Sequence, residues 1–576
     1  MESKTFCATT IGLEVVTVTV EVDISVGIGM FLVGLPDSAV KESLLRVGTA
    51  LQSYGYKIPG RKIVVNLAPA DLRKEGSSFD LAIAIGIIAG SEQAYVPLKE
   101  QFITMGELAL NGDIRPVTGA LPVAIHALES GFKGCILPYE SALEAIEIEG
   151  VEIYAVRRLS EVLEILDDNL DTSRYLIRNR IGNSMGINAT GCGNYDSGGI
   201  NVNGGGNTVP GEANANCGGD SGAGGGELDF EGMQCVARGI GGNGRDSLGM
   251  CSIEGVVALP DFKDVRGQAA AKRGLEIAAA GGHNLLMVGS PGSGKSMMAS
   301  CIPSILPPMS REESLETSKI YSIAGKSVGT GGLMRKRPFR TPHHTASVVS
   351  LIGGGQNALP GEISLAHNGV LYLDEIAEFP RSALEVLRQP LEDGKITISR
   401  MRYKIAYPAS FMLIASMNPC PCGYYGVDDR CKCTPGERMR YLARISGPMM
   451  DRIDMHIMVR PVESKKLVDE TEAEPSSAIA ARVAAARDIQ RRRFASESIF
   501  TNSQMSAALI KKYCPLDAQE RDFLDNAIRR LGLSARSYSR ILKLSRTIAD
   551  LEGVKCISLS HISEAIGFRE MDRNNL

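Results

Sequence analysis

The stretch that most restricts the fold of this chain is the octapeptide Gly289-Ser290-Pro291-Gly292-Ser293-Gly294-Lys295-Ser296, which follows the apolar run Leu285–Val288. It is a complete G-x-x-x-x-G-K-S loop, and an apolar strand entering a glycine-rich turn is its usual setting. The glycines allow consecutive backbone N–H groups to curl around phosphate oxygens. Lys295 has the reach for the β and γ phosphates, and the Ser296 hydroxyl is a ligand for Mg²⁺. These residues predict a nucleoside triphosphate site, with ATP and Mg²⁺ as its occupants, on an α/β core.

Two further apolar segments fit the same core. Gly369–Leu373 reads as a buried strand that ends in Asp374-Glu375, and Phe411–Met417 reads as another that ends at Asn418. An apolar strand tipped by paired carboxylates suits phosphoryl transfer. Asp374 would hold Mg²⁺ through water and Glu375 would polarise the attacking water, with Asn418 orienting it. The bland alternative for the pair is an ordinary acidic strand end.

At 576 residues the chain exceeds one core. Residues 1–170 read as a compact α+β unit: alternation over 9–30 predicts two strands with a turn near Asp23, Pro36 and Asp37 open a helix, and an apolar helix covers Phe79–Ile88. Residues 171–250 form a Gly/Asn-rich linker, most biased over 181–249, whose composition predicts flexibility. The ATPase core covers 251–465. Residues 466–576 are helical, with helices expected at Ser503–Lys512, Asp517–Leu531, Ser534–Leu551 and Ser560–Phe568, the last capped by Ser560.

The 62 basic and 66 acidic residues nearly balance, so a nucleic-acid contact has to come from a local patch. No run of about 18 apolar residues is free of charge, so no membrane span is expected. The N-terminus lacks an export layout, and the 13 cysteines are expected mostly as reduced thiols.

The order of these elements resembles the AAA+ ATPases, and most of all the YifB/ComM family of Mg-chelatase-like bacterial ATPases. The matching stretches are Val33–Ser43, Val65–Gly76, Gly106-Glu-Leu, Arg337–His344, Pro360–His367 and Gly447–Asp454. The resemblance covers essentially all of the chain outside 181–249. It implies an AAA+ P-loop core with a C-terminal helical lid, preceded by a Lon-protease-like domain of the ribosomal S5 domain-2 type. It also implies a cytoplasmic bacterial protein assembled as a homo-oligomeric ring, typically a hexamer, with nucleotide between neighbours. By resemblance, Arg452 is the finger that reaches a neighbour's γ-phosphate and Arg536 is the sensor arginine of the lid. A surface ion pair and a helix-solvating arginine are their plainer readings. Ser78 falls where Lon keeps its nucleophile, but the required lysine would fall near Leu121, which cannot deprotonate a hydroxyl, so no peptidase is expected.

Two features remain open at this level. Lys326, Arg335, Lys336, Arg337 and Arg340 form a basic run beside Gly329–Gly332 and His343-His344, and read either as a mobile loop gripping phosphates or as a solvated charge run. Cys420-Pro-Cys422 and Cys431-Lys-Cys433 offer four soft ligands for structural Zn²⁺, although the one-residue spacers are tight. Free thiols and redox or iron–sulfur chemistry are the alternatives. The reading that joins these features is a ring motor acting on single-stranded or branched DNA, in branch migration during recombination or natural transformation. A chelatase-like ATPase that remodels a protein or metal-insertion partner is the second, and a non-enzymatic assembly module the third.

Overall fold

A computed structural model describes residues 2–184, 260–327, 331–355, 358–399, 404–426, 430–461 and 473–569. The linker expected over 181–249 falls almost wholly outside them.

The N-terminal part is built on a seven-stranded sheet of β1 (Glu2–Ile11), β2 (Glu14–Ser25), β3 (Gly29–Val33), β4 (Lys62–Ala68), β5 (Phe102–Thr104), β6 (Gly134–Pro138) and β7 (Glu152–Val156), in the order β3-β4-β2-β1-β5-β6-β7. The turn expected near Asp23 is elsewhere. Val18, Val20, Val22 and Ile24 keep a two-residue burial period through that position, so β2 runs on and Asp23 pairs with Glu2 on one side and Val64 on the other. The chain reverses earlier, at Gly12, whose φ of +63° suits glycine. Asp37 caps the Ser38–Ser53 helix by accepting the Val40 N–H at 2.7 Å. The Asp80–Gly90 helix, apolar from Leu81 onward, fills the centre of this core, which takes in Tyr175 and Ile177 and thus continues past residue 170.

The second sheet is entirely parallel and contains β8 (Leu285–Gly289), β9 (Phe339–Arg340), β10 (Val370–Leu373), β11 (Met412–Met417) and β12 (Met455–Val459), in the order β9-β10-β11-β8-β12. Its strands read as unbroken apolar runs because both faces are covered. Leu285 and Met287 enter one core with the C-terminal helices, while Leu286 and Val288 enter another on the opposite face.

The C-terminal helices span Ser476–Arg493, Ala507–Tyr513, Ala518–Leu531, Ala535–Leu551 and Leu559–Gly567. Two expectations shift here. The helix predicted from Ser503 starts at Ala507 instead, because Asn502 is drawn into the core by Thr547 (3.1 Å), Asp550 (2.8 Å) and Gln490 (2.9 Å) and is held in a separate short turn. The cap of the last helix is Ser558 rather than Ser560, with its N–H bonded to His561 Nδ1 at 3.0 Å. Among the described residues, no helix is long and apolar enough to cross a membrane.

Candidate nucleotide site

Parallel strands place their carboxyl ends on one edge, and ligands of such sheets bind outside that edge. Here that edge collects the Gly289–Ser296 loop after β8, Asp374-Glu375 after β10 and Asn418 after β11. The loop turns into the Lys295–Ile305 helix through Gly294, whose φ is +89°. Lys295 Nζ donates to the Gly289 and Ser290 carbonyls at 2.8 and 2.9 Å and lies 3.5 Å from Asn418 Oδ1. Burial pushes its pKa down, opposed by Asp374 and Glu375.

Ser296 Oγ donates to Asp374 Oδ2 at 2.8 Å, and Ser416 Oγ donates to Asp374 Oδ1. Partial desolvation pushes the Asp374 carboxyl up, but the hydrogen bonds from Ser416 and Ser296 outweigh it and leave the group below the usual carboxylate range. An ionised carboxylate beside a hydroxyl is a hard-oxygen pair that fits Mg²⁺. The Glu375 N–H is shared between Asp374 Oδ1 (3.0 Å) and Ser416 Oγ (3.3 Å), with Glu375 at φ +49°. That backbone leaves the Glu375 carboxylate exposed at the sheet edge. Ser416 is the functional residue that the sequence reading missed; its signal was a hydroxyl inside an otherwise apolar strand.

Arg452 and Arg536 are not brought to this edge. Arg452 lies three residues before the start of β12, at the amino end of the sheet. Its carbonyl accepts from Asn284 Nδ2 at 3.1 Å, and Asn284 immediately precedes β8. Five residues of β8 separate that end from the phosphate loop, roughly 15 Å. Arg452 is 9% exposed, donates to the Pro448 carbonyl at 2.5 Å and pairs with Glu392. Arg536 pairs with the adjacent Asp451 at 2.8 Å. The same segment is anchored through Asp454, which accepts from Arg540 (2.6 Å) and the Asn284 N–H (3.1 Å). Burial raises the Asp454 pKa, yet Arg540 and His283 overcome this and hold it far below the usual range. Arg452, Arg536, Arg540 and Lys543 line one cavity of about 730 Å³, and no residue of the phosphate loop lines it.

Models of three parts of the magnesium chelatase subunit ChlI match the chain: the subunit itself over residues 261–467, a further ChlI segment over 20–141 and the ChlI C-terminal part over 473–569. YifB of Salmonella typhimurium is 37% identical over 95% of this chain and 92% of its own length, and the competence protein ComM of Haemophilus influenzae is 38% identical over the same shares. This chain belongs to the YifB/ComM family of Mg-chelatase-like AAA+ proteins. A shorter similarity, 34% over 22% of this chain and 23% of its match, is to Lon protease 2 of Bacillus subtilis.

Ser78 lines a cleft of about 290 Å³ in which no lysine or histidine is found among the described lining residues. Leu121 is buried, with its N–H 3.4 Å from Ser322 Oγ.

Among the described residues, most of the basic run is paired with carboxylates. Arg337 makes a two-pronged pair with Glu313 (3.0 and 2.8 Å) and donates to the Pro307 and Asn368 carbonyls. Arg340 grips Glu362 at 2.6 and 2.7 Å, Lys326 is 3.6 Å from the same carboxylate, and Arg335 pairs with Glu147. Lys336 is exposed. Residues 328–330, the centre of the expected mobile loop, lie outside the described residues. Arg337 therefore serves packing. Arg337→Ala is expected to destabilise the fold by about 2 kcal/mol, because Glu313, largely shielded from solvent, would lose its guanidinium partner and keep the Ser310 N–H. Lys336→Ala should stay within about 0.5 kcal/mol of the parent. Urea denaturation of both variants checks this, and equal midpoints would contradict the packing role.

Cys420, Cys422, Cys431 and Cys433 converge in the loop after Asn418, with all four Sγ atoms within 4.8 Å of one another.

Proposed function

We propose that the chain is the subunit of an ATP-hydrolysing ring, most simply a hexamer, that drives a motor reaction on DNA. The observation that carries the ring is the division of the site between the two edges of one sheet. The phosphate loop, Asp374, Glu375 and Asn418 occupy the carboxyl edge, whereas Arg452 and Arg536 occupy the amino edge, out of reach of the loop in their own chain. A neighbour offering its amino edge would complete the site, with Arg452 neutralising charge on the γ-phosphate and Arg536 reading the nucleotide state. Within one chain, Lys295 would hold the phosphates, Ser296 and Asp374 would hold Mg²⁺, and Glu375 with Asn418 would direct the attacking water.

DNA as the substrate is supported by the competence name carried by ComM. Branch migration in recombination is the reaction most consistent with it. The chelatase name of the matching family models supports a second reading, ATP-driven remodelling of a protein or metal-insertion partner.

ATP hydrolysis measured with and without forked or four-way-junction DNA separates them, using Glu375→Gln as the blank. Stimulation that falls steeply with salt supports the DNA motor. Robust hydrolysis indifferent to every DNA form would sink it in favour of the remodeller. Because its arginine neighbours are engaged by carboxylates, Lys336 is the member of the basic run expected to meet phosphate. Lys336→Ala should reduce DNA affinity and lower the salt slope by about one, with basal hydrolysis kept. An unchanged slope would remove this run from the DNA path.

A further inference from the structure

The four-cysteine loop has no part in the hydrolytic chemistry, yet it begins two residues after Asn418. We propose that Cys420, Cys422, Cys431 and Cys433 bind one Zn²⁺, and that this ion holds the loop against the phosphate loop of the same chain. The sulfur geometry carries the first half. Zn–S bonds of about 2.3 Å at tetrahedral angles put neighbouring sulfurs about 3.8 Å apart. The Sγ separations are 3.3 Å for Cys420–Cys422, 3.7 Å for Cys420–Cys431 and 3.6 Å for Cys422–Cys431, and Cys433 completes a set within 4.8 Å. These distances are too long for disulfides and too short for thiolates spread over the irons of a multinuclear cluster. Four thiolates close the coordination sphere, so the ion is structural and has no position for substrate.

The packing carries the second half. Cys420 is fully buried at the end of the β11 segment, and Gly423 N–H closes a turn on the Cys420 carbonyl at 2.9 Å. Gly423 has φ +82°, and a Cβ there would stand 2.6 Å from Pro291 Cδ. The loop thus runs directly over Pro291 of the phosphate loop. At the other end, Thr434 follows Cys433 and caps the Pro435–Leu442 helix in a reciprocal pair with Glu437. Joining the two cysteine pairs would tie the β11 edge, the phosphate loop and this helix into one unit.

This coupling rests on the nucleotide reading above, but zinc content is read independently of hydrolysis, so the two fail separately. Metal analysis of the purified full-length protein should find about one Zn²⁺ per chain. Cobalt exchange should give the visible absorption of tetrahedral thiolate coordination, and Cys431→Ser should lose the metal. Full-length protein stripped by a chelator should bind a fluorescent ATP analogue about tenfold more weakly and recover when Zn²⁺ is restored. Gly423→Ala should keep zinc and still weaken the analogue. A metal-free folded protein with four reactive thiols, or one carrying iron, would overturn the zinc site. Equal nucleotide affinity with and without zinc would overturn the coupling.

Discussion

Glu375→Gln is expected to leave ATP binding intact and to lower turnover about 10³-fold, the scale of losing a general base. The residue's backbone supports such a clean separation. The Glu375 N–H is held by Asp374 and Ser416, and both contacts survive a side-chain change. The carboxylate is exposed and accepts no hydrogen bond from the described residues, and an amide of the same shape cannot take a proton from water. Lys295→Ala should behave differently. It removes the ammonium group buried among the loop carbonyls, and binding itself should fail. Fluorescent-nucleotide titration beside steady-state phosphate release distinguishes the two variants. Turnover within a few-fold of the parent in Glu375→Gln would exclude Glu375 as the base. Loss of binding in that variant would make it a structural residue of the loop.

The contrast between these residues and the basic run shows what was legible in the sequence. The phosphate loop, the Asp374-Glu375 strand tip and Asn418 could be read because each lies at the end of its own strand, and the parallel sheet adds only their common edge. The arginines could not be read that way. Arg337 finds Glu313, Arg340 finds Glu362 and Arg335 finds Glu147, carboxylates that lie far off in sequence. A run that looks free of acids is therefore neutralised by the fold at every described member but Lys336. The same non-local effect moved the start of the Ala507–Tyr513 helix, where Asn502 is claimed by partners on Ala535–Leu551. The strand ends failed for a smaller reason: Asp23 is polar enough to suggest a turn, but the valines around it hold a two-residue period that one exposed carboxylate does not interrupt. Ser416 was hidden because one hydroxyl in a buried strand has several roles, and only the neighbouring strand shows that this one faces Asp374.

Arg452→Ala is expected to lower hydrolysis about 10³-fold or more, the scale of removing an arginine finger. That loss alone would not distinguish a finger from a structural arginine, since Arg452 is nearly buried and pairs with Glu392. The position of the residue supplies the distinction. An arginine at the amino edge acts on nucleotide only across an interface, so its site and its own phosphate loop belong to different functional units. Arg452→Ala chains keep an intact phosphate loop, and Lys295→Ala chains keep an intact arginine. Each variant alone should be inactive. Mixed in equal amounts, roughly a quarter of interfaces in a closed ring would pair a sound loop with a sound arginine, and hydrolysis should return on that scale. A damaged fold cannot be rescued in this way, because a misfolded Arg452→Ala chain would not supply a working loop. Arg536→Ala mixed with Lys295→Ala should recover similarly, since Arg536 lies in the same cavity and pairs with Asp451 beside Arg452. For the mixture to stay silent, with both variants soluble and assembled, Arg452 would have to work within its own chain, which the length of β8 does not allow, or only brace Glu392.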